Sequence, residues 1–203
     1  MRRTGHQADT RRRLLALGLG AALCASWAQA PSQVPVAGEA PLPGIGGDIR
    51  LTDQHGQTFV LSKQAAQPTL LFFGFTQCAQ VCPQALSLMQ ALVERQQPRQ
   101  PPRMLFVTLD PLSDTPAVLK AYLAHFGVRI VGLSGSPTDV AEVARRYGVS
   151  TRTRDGVLDH SARLYLLGPH HEVSRVYGLN VPLAQLAKDI LAVQSPTMSF
   201  NLR

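Results

Sequence analysis

Cysteine is scarce in this chain of 203 residues, which holds three, and tryptophan occurs once. A chain of this length with 45% hydrophobic residues can bury a core without disulfide staples, so the few sulfurs are free for other work. Long apolar runs are also lacking. The one prominent stretch, Leu14 to about Ala28, is roughly fifteen residues, short of the ~20 that span a bilayer. Five of the 20 basic residues and only one of the 13 acids, Asp9, precede residue 31, so the formal charge of +7 is concentrated at the N-terminus. Beyond it no basic run is interleaved with aromatics, which argues against a nucleic-acid partner. No internal repeat and no methionine-rich box is present, Met198 standing alone in the tail.

What the N-terminus does have is a targeting pattern. Arg11 to Arg13 supply charge, Leu14 to about Ala28 an apolar core, and Ala28-Gln29-Ala30 small residues suited to cleavage. Residues 1–30 are therefore expected to be a signal peptide, and Thr10-Arg11-Arg12-Arg13-Leu14-Leu15 resembles the twin-arginine signal. A retained N-terminal anchor, giving membrane association, is the alternative. Both readings place the folded part in the periplasm or another extracytoplasmic space, where thiols tend to oxidise. Residues 31–47, rich in Pro, Gly and Ala, are expected to be a flexible linker, 48–194 the folded domain and 195–203 a loose tail.

Within 48–194, Ile49–Leu51 and Thr58–Leu61 flank Asp53-Gln54-His55-Gly56 as an N-terminal β-hairpin. Thr69–Phe75 and Met104–Leu109 are apolar runs of the buried-strand type, and Ile130–Leu133 is a third strand. A helix carrying Cys82, Leu86, Met89 and Leu92 should end near Gln96. Thr115-Pro116 opens a helix to about Phe126, and Ser136-Pro137-Thr138-Asp139 opens another that Gly148 closes. A hairpin, Ala162–Leu167 with Glu172–Tyr177, and a helix, Pro182–Val193, complete the pattern. Strands alternating with helices spell an α/β domain: a three-layer thioredoxin-like fold with the added N-terminal hairpin.

Cys78 and Cys82 are the only cysteines beyond residue 30, and they sit four apart just after an apolar run. On a helix, positions i and i+4 share one face, so the spacing can aim both sulfurs at one point. A thiol at a helix N-terminus is drawn toward the thiolate, the form that binds metal and attacks disulfides. Two thiolates suit Cu(I) or Zn(II), but structural zinc wants four ligands and one further good candidate exists, so copper is favoured. That candidate is His160 in Val157-Leu158-Asp159-His160-Ser161-Ala162, read as a loop at the mouth of the late strand. His55, His170 and His171 fall in turns, His125 near a helix end, and Asp110, Asp114 and Thr115 read as a strand end and a helix cap.

Here the resemblance becomes specific. Gly74-Phe75-Thr76-Gln77-Cys78-Ala79-Gln80-Val81-Cys82-Pro83 is similar to the signature of the Sco/SenC family of copper-binding assembly proteins for cytochrome oxidase. Asp110-Pro111-Leu112-Ser113-Asp114-Thr115-Pro116 and Asp159-His160-Ser161 resemble two further segments of that family in the same order. The resemblance implies that Cys78, Cys82 and His160 bind copper, as Cu(I) or Cu(II). The copper-receiving subunit of a haem-copper oxidase would be the partner, and an upstream thiol reductant or copper donor would prepare the site. It equally implies a role in keeping that subunit's thiols reduced. Two departures stand out: the family commonly has Pro-Asp where Ala79-Gln80 stand, and an acid near Gly168. Loss of that acid removes negative charge beside the sulfurs.

Two other functions compete. A thiol-disulfide oxidoreductase needs only Cys78 and Cys82, and should tolerate His160→Ala. A thiol peroxidase shares the broad fold, but Thr76 and Gly74 do not reproduce the usual residues before a peroxidatic cysteine.

Overall fold

The computed structural model describes residues 44–96, 98, 100–127, 129–154, 157–160 and 162–194, and for 152–154 and 157–160 it describes the backbone alone. The leader, most of the linker and the tail lie outside these residues.

Seven strands form one mixed sheet, in the order β2 (Thr58–Val60), β1 (Arg50–Asp53), β5 (Ile130–Ser134), β4 (Arg103–Thr108), β3 (Thr69–Gly74), β8 (Leu164–Leu167) and β9 (Val173–Tyr177). The central three are parallel and buried on both faces, which is why β3 reads as an unbroken apolar run, Leu70 to Phe73. Helices cover each face. α1 (Val81–Gln96), α2 (Pro116–Leu123) and α4 (Leu183–Gln194) share a core with Leu70, Phe72, Met104 and Phe106. α3 (Pro137–Arg146) packs Val140, Val143 and Ala144 on the other face with Leu71, Phe73, Leu105 and Val107. The outcome is the three-layer thioredoxin-like fold expected from the sequence.

The N-terminal hairpin extends the main sheet, β1 pairing antiparallel with β5 through Thr52 with Ser134 and Asp53 with Leu133. Where that ladder stops, the Gln54 side chain continues it, its Nε2 donating to the Ile130 carbonyl (3.1 Å) and its Oε1 accepting from Gly132 N–H (2.8 Å). Gly46 and Gly47 are tied to the end of α3: Gly46 N–H donates to the Arg146 carbonyl and the Tyr147 hydroxyl to the Gly47 carbonyl.

Local chemistry sets the helix starts. Thr115 and Ser136 both cap with their side-chain oxygens and both precede a proline at the first helical position, where no N–H is needed. The Ser136 hydroxyl accepts from the Asp139 N–H and donates to the Asp139 carboxylate at 2.6 Å, so the carboxylate bonds the capping hydroxyl and not the Ser136 N–H of a full capping box. Gly148, at φ +67°, closes α3 in the left-handed conformation that favours glycine.

Two expectations need correction. α2 ends at Leu123 and not near Phe126: from there the chain winds tighter, His125 N–H bonding to the Tyr122 carbonyl and Phe126 N–H to that of Leu123, before Gly127. His160 is not in a loop. It is the last residue of β7 (Val157–His160), which pairs antiparallel with β6 (Thr151–Arg154) in a separate two-stranded sheet, His160 opposite Thr151.

Candidate metal centre

β3 and β4 are parallel neighbours, Gly74 in register with Thr108, so the loops that follow them emerge together at the carboxyl end of the sheet. Crevices of open α/β sheets form at that end. The first loop carries both cysteines. α1 begins only at Val81, so Cys78 lies before the helix, not on its face, and the two sulfurs meet by a different route than i, i+4 stacking. The Cys78 Sγ accepts a hydrogen bond from the Cys82 N–H at 3.4 Å, taking the place of a capping oxygen on the first turn. Pro83, third in the helix, has no N–H to satisfy there.

The two thiols are unlike. Neither is in a disulfide, and Cys78 is half-buried while Cys82 has none of its surface exposed. Burial works against ionising Cys78, but the N–H and thiol of Cys82 and the N–H groups of Gln80 and Val81 outweigh it, holding its pKa below the ordinary 9.0. For Cys82, burial dominates and pushes the thiol well up; the Phe75 N–H opposes this, while Cys78 and Asp114 add to it. The pair is thus a polarised couple in which negative charge settles on Cys78. Close packing enforces it: a Cβ on Gly74 would lie 2.7 Å from the Cys82 Sγ, so only glycine leaves room for that sulfur behind β3.

A buried carboxylate fixes the loop to its neighbour. Asp114, with no exposed surface, accepts from the Thr76 N–H (3.0 Å), the Thr76 hydroxyl (2.5 Å) and the Thr108 hydroxyl (2.6 Å). Its own N–H donates to the Asp110 carbonyl at 2.9 Å. Asp114 is therefore neither strand end nor helix cap, as the sequence suggested, but the clamp between the two loops; Thr115 alone is the cap. Nothing in local periodicity points to this, because Thr76 and Asp114 are 38 residues apart.

Residues 38–195 match the family model described as SCO1/SenC. This chain belongs to the SCO1/SenC family. An SCO2-like protein of Rickettsia conorii is 33% identical to this Sco chain over 165 residues, covering 75% of it and 80% of the relative. The crystal structure of Arabidopsis thaliana ScoI with copper bound superposes with a TM-score of 0.68 at 29% identity, over 74% of this chain and 98% of that one. BsSco, in which a disulfide switch was identified and which is described as a member of the Sco family of cytochrome c oxidase assembly proteins, has a TM-score of 0.67 over 78% and 98%. At 22% identity it speaks to the fold alone.

In this Sco chain the side chain of His160 falls outside the described residues, and among those described no cluster of three or more histidines, cysteines or carboxylates is assembled. The backbone still bounds it. β8 runs antiparallel to β3 with Leu164 opposite Phe72, so the chain entering β8 arrives at the end of the sheet from which the cysteine loop leaves. His160 lies four residues before Leu164, within about 14 Å of it at full extension. At the base of its hairpin, Thr151 lines a groove of about 510 Å³ together with Leu109, Asp110, Pro111 and Leu112.

The departures from the family pattern also have places. Ala79 and Gln80 are exposed on the bend before α1. At Gly168, a Cβ would run into the carboxylate of Glu172, which folds over the glycine and gives that hairpin an acid from another position. Among the described residues no helix is long and apolar enough to cross a membrane.

Proposed function

We propose that this protein is an extracytoplasmic copper-binding assembly factor, in which Cys78, Cys82 and His160 of the 48–194 domain hold a copper ion as cargo for the binuclear copper centre of a haem-copper oxidase subunit. The observation that carries this reading is the polarised pair: a Cys78 sulfur seated on the amides at the start of α1, against a buried Cys82. Two adjacent soft thiolate donors suit Cu(I), and an imidazole reaching them would complete a three-coordinate set. The copper bound in Arabidopsis thaliana ScoI supports copper as the ion. Burial of Cys82 on one side leaves Cys78 as the approachable ligand, so a partner thiolate would enter beside Cys78 and displace the protein's donors in turn. An oxidised pair has no thiolates to offer, which makes reduction by an upstream thiol the entry step. The N-terminal segment would export the domain, as a cleaved signal or a retained anchor.

The test is retention. Reduced wild type, loaded anaerobically with Cu(I), should keep stoichiometric copper through gel filtration, and Cys78→Ser and His160→Ala should keep none. Full retention by both variants would overturn the reading.

One observation favours a second role, reduction of the oxidase subunit's thiols. A half-exposed, amide-supported thiol beside a shielded one is also the arrangement of an attacking and a resolving cysteine. Under that reading His160→Ala reduces a disulfide-bonded peptide at the wild-type rate while Cys78→Ser does not.

A further inference from the structure

Four tyrosines occur in the chain, and three spend their hydroxyls on named acceptors. Tyr147 donates to the Gly47 carbonyl at 2.7 Å, Tyr165 to the Tyr147 carbonyl at 2.9 Å and Tyr177 to the Asp189 carboxylate at 2.8 Å. The Tyr122 hydroxyl is buried and has no partner among the described residues. Leaving a buried hydroxyl without a bond costs about 1–3 kcal/mol, so such a group calls for an explanation.

Its place in the fold suggests one. Tyr122 projects from α2 into the core that holds Cys82 and flanks Cys78. Its ring packs against Phe106 (centroids 6.1 Å apart) and edge-on to Phe126 (5.6 Å). Phe106 in turn borders the space in front of Gly74, 3.0 Å from where a Cβ would stand, and the Cys82 sulfur borders the same space at 2.7 Å. The phenol thus packs, tilted, on a ring that crowds the same point beside Gly74 as the buried sulfur. Burial raises the Tyr122 pKa, and Cys82, Cys78 and Asp114 raise it further, so the group feels the field of both sulfurs and stays a neutral donor.

The donors around the cysteines are unevenly distributed. The first turn of α1 serves Cys78, and the Phe75 N–H serves Cys82. A loaded site places two thiolates beside the buried Asp114 carboxylate, in an apolar corner where charge is costly. We infer that Tyr122 is a positioning residue for the cysteine pair, its unspent hydroxyl donating a hydrogen bond to sulfur when the pair holds its cargo. This rests on the copper reading above. Outer donors of this kind typically change metal affinity by about 10–100-fold.

The experiment compares Tyr122→Phe, which removes one oxygen and keeps the ring, with wild type in three measurements. In a Cu(I) competition with a chromogenic chelator, the variant should bind about tenfold more weakly. In the Cu(II) form, its thiolate-to-copper charge-transfer band should move to lower energy, because a hydrogen bond to sulfur holds the donor electrons more tightly. In urea unfolding of the reduced, metal-free protein, the variant should be as stable as wild type or more so, since the uncompensated hydroxyl is gone. A purely structural tyrosine predicts the opposite pattern: lower metal-free stability with affinity and band unmoved. Wild-type affinity and band position in Tyr122→Phe overturn the inference and leave the copper reading standing. Failure of wild type to bind Cu(I) overturns the copper reading, and this inference with it.

Discussion

The two parts of the candidate site are held in opposite ways. The cysteine loop follows a central strand, is stitched by Thr76 to the buried Asp114, and packs a sulfur against Gly74. The hairpin that ends in His160 pairs with itself and, among the described residues, belongs to no larger sheet. A two-stranded sheet has little stability of its own, so one half of the site draws on the global stability of the fold and the other does not. Under the copper reading proposed above, the division would have a use: the sulfurs would keep a fixed frame while the proposed third ligand, His160, sits on the less anchored half.

The contrast can be broken by attacking the rigid half first. Asp114→Ala removes the acceptor of three hydrogen bonds, from the Thr76 N–H and hydroxyl and the buried Thr108 hydroxyl, a loss of about 2–4 kcal/mol in urea unfolding. A cost below 0.5 kcal/mol would mean that the clamp does not anchor the loop. Gly74→Ala should cost about 1–3 kcal/mol, because the methyl and the Cys82 sulfur need the same space. That variant should also expose Cys82 to alkylation, which mass spectrometry of the labelled peptides would detect.

The asymmetry of the thiols sharpens the picture. In the reduced wild type, iodoacetamide should label Cys78 well before Cys82, and the pH at which the Cys78 rate is half-maximal should lie below 9.0. Equal labelling of the two would contradict the polarised couple. The smallest effect is expected in the other half: His160→Ala should leave metal-free stability within about 0.5 kcal/mol of wild type, because a two-stranded sheet has little stability of its own to lose. A large loss there would show the hairpin to be part of the cooperative unit after all.

The fold was legible wherever the chain follows a local rule. β3 announces itself by its apolar run, and α2 and α3 by a capping hydroxyl followed by proline. The pairing of Cys78 with Cys82 was anticipated, but on a wrong geometry: spacing alone does not say where a helix begins, and here the first sulfur sits outside it as a cap. Three features escaped. Asp114 finds its partners on β4 and on the loop after β3, β6 and β7 are four residues each without an apolar stripe, and Tyr122 looks like any helical core residue until its hydroxyl is followed. The first depends on a contact between distant segments, the second is a short hairpin with no core-facing pattern, and the third turns on one polar atom; periodicity registers none of these.

The sulfur of Cys78 has one further consequence. While it accepts the Cys82 amide it serves as the first fastening of α1, and an ion or a disulfide bond drawing on that sulfur competes with the amide for the same electrons. Filling the site and loosening the helix tip then become one event. Slow hydrogen exchange at the Cys82 amide in the empty reduced protein, quickening once the sulfur is engaged, would let a single proton report whether the chaperone is carrying its load.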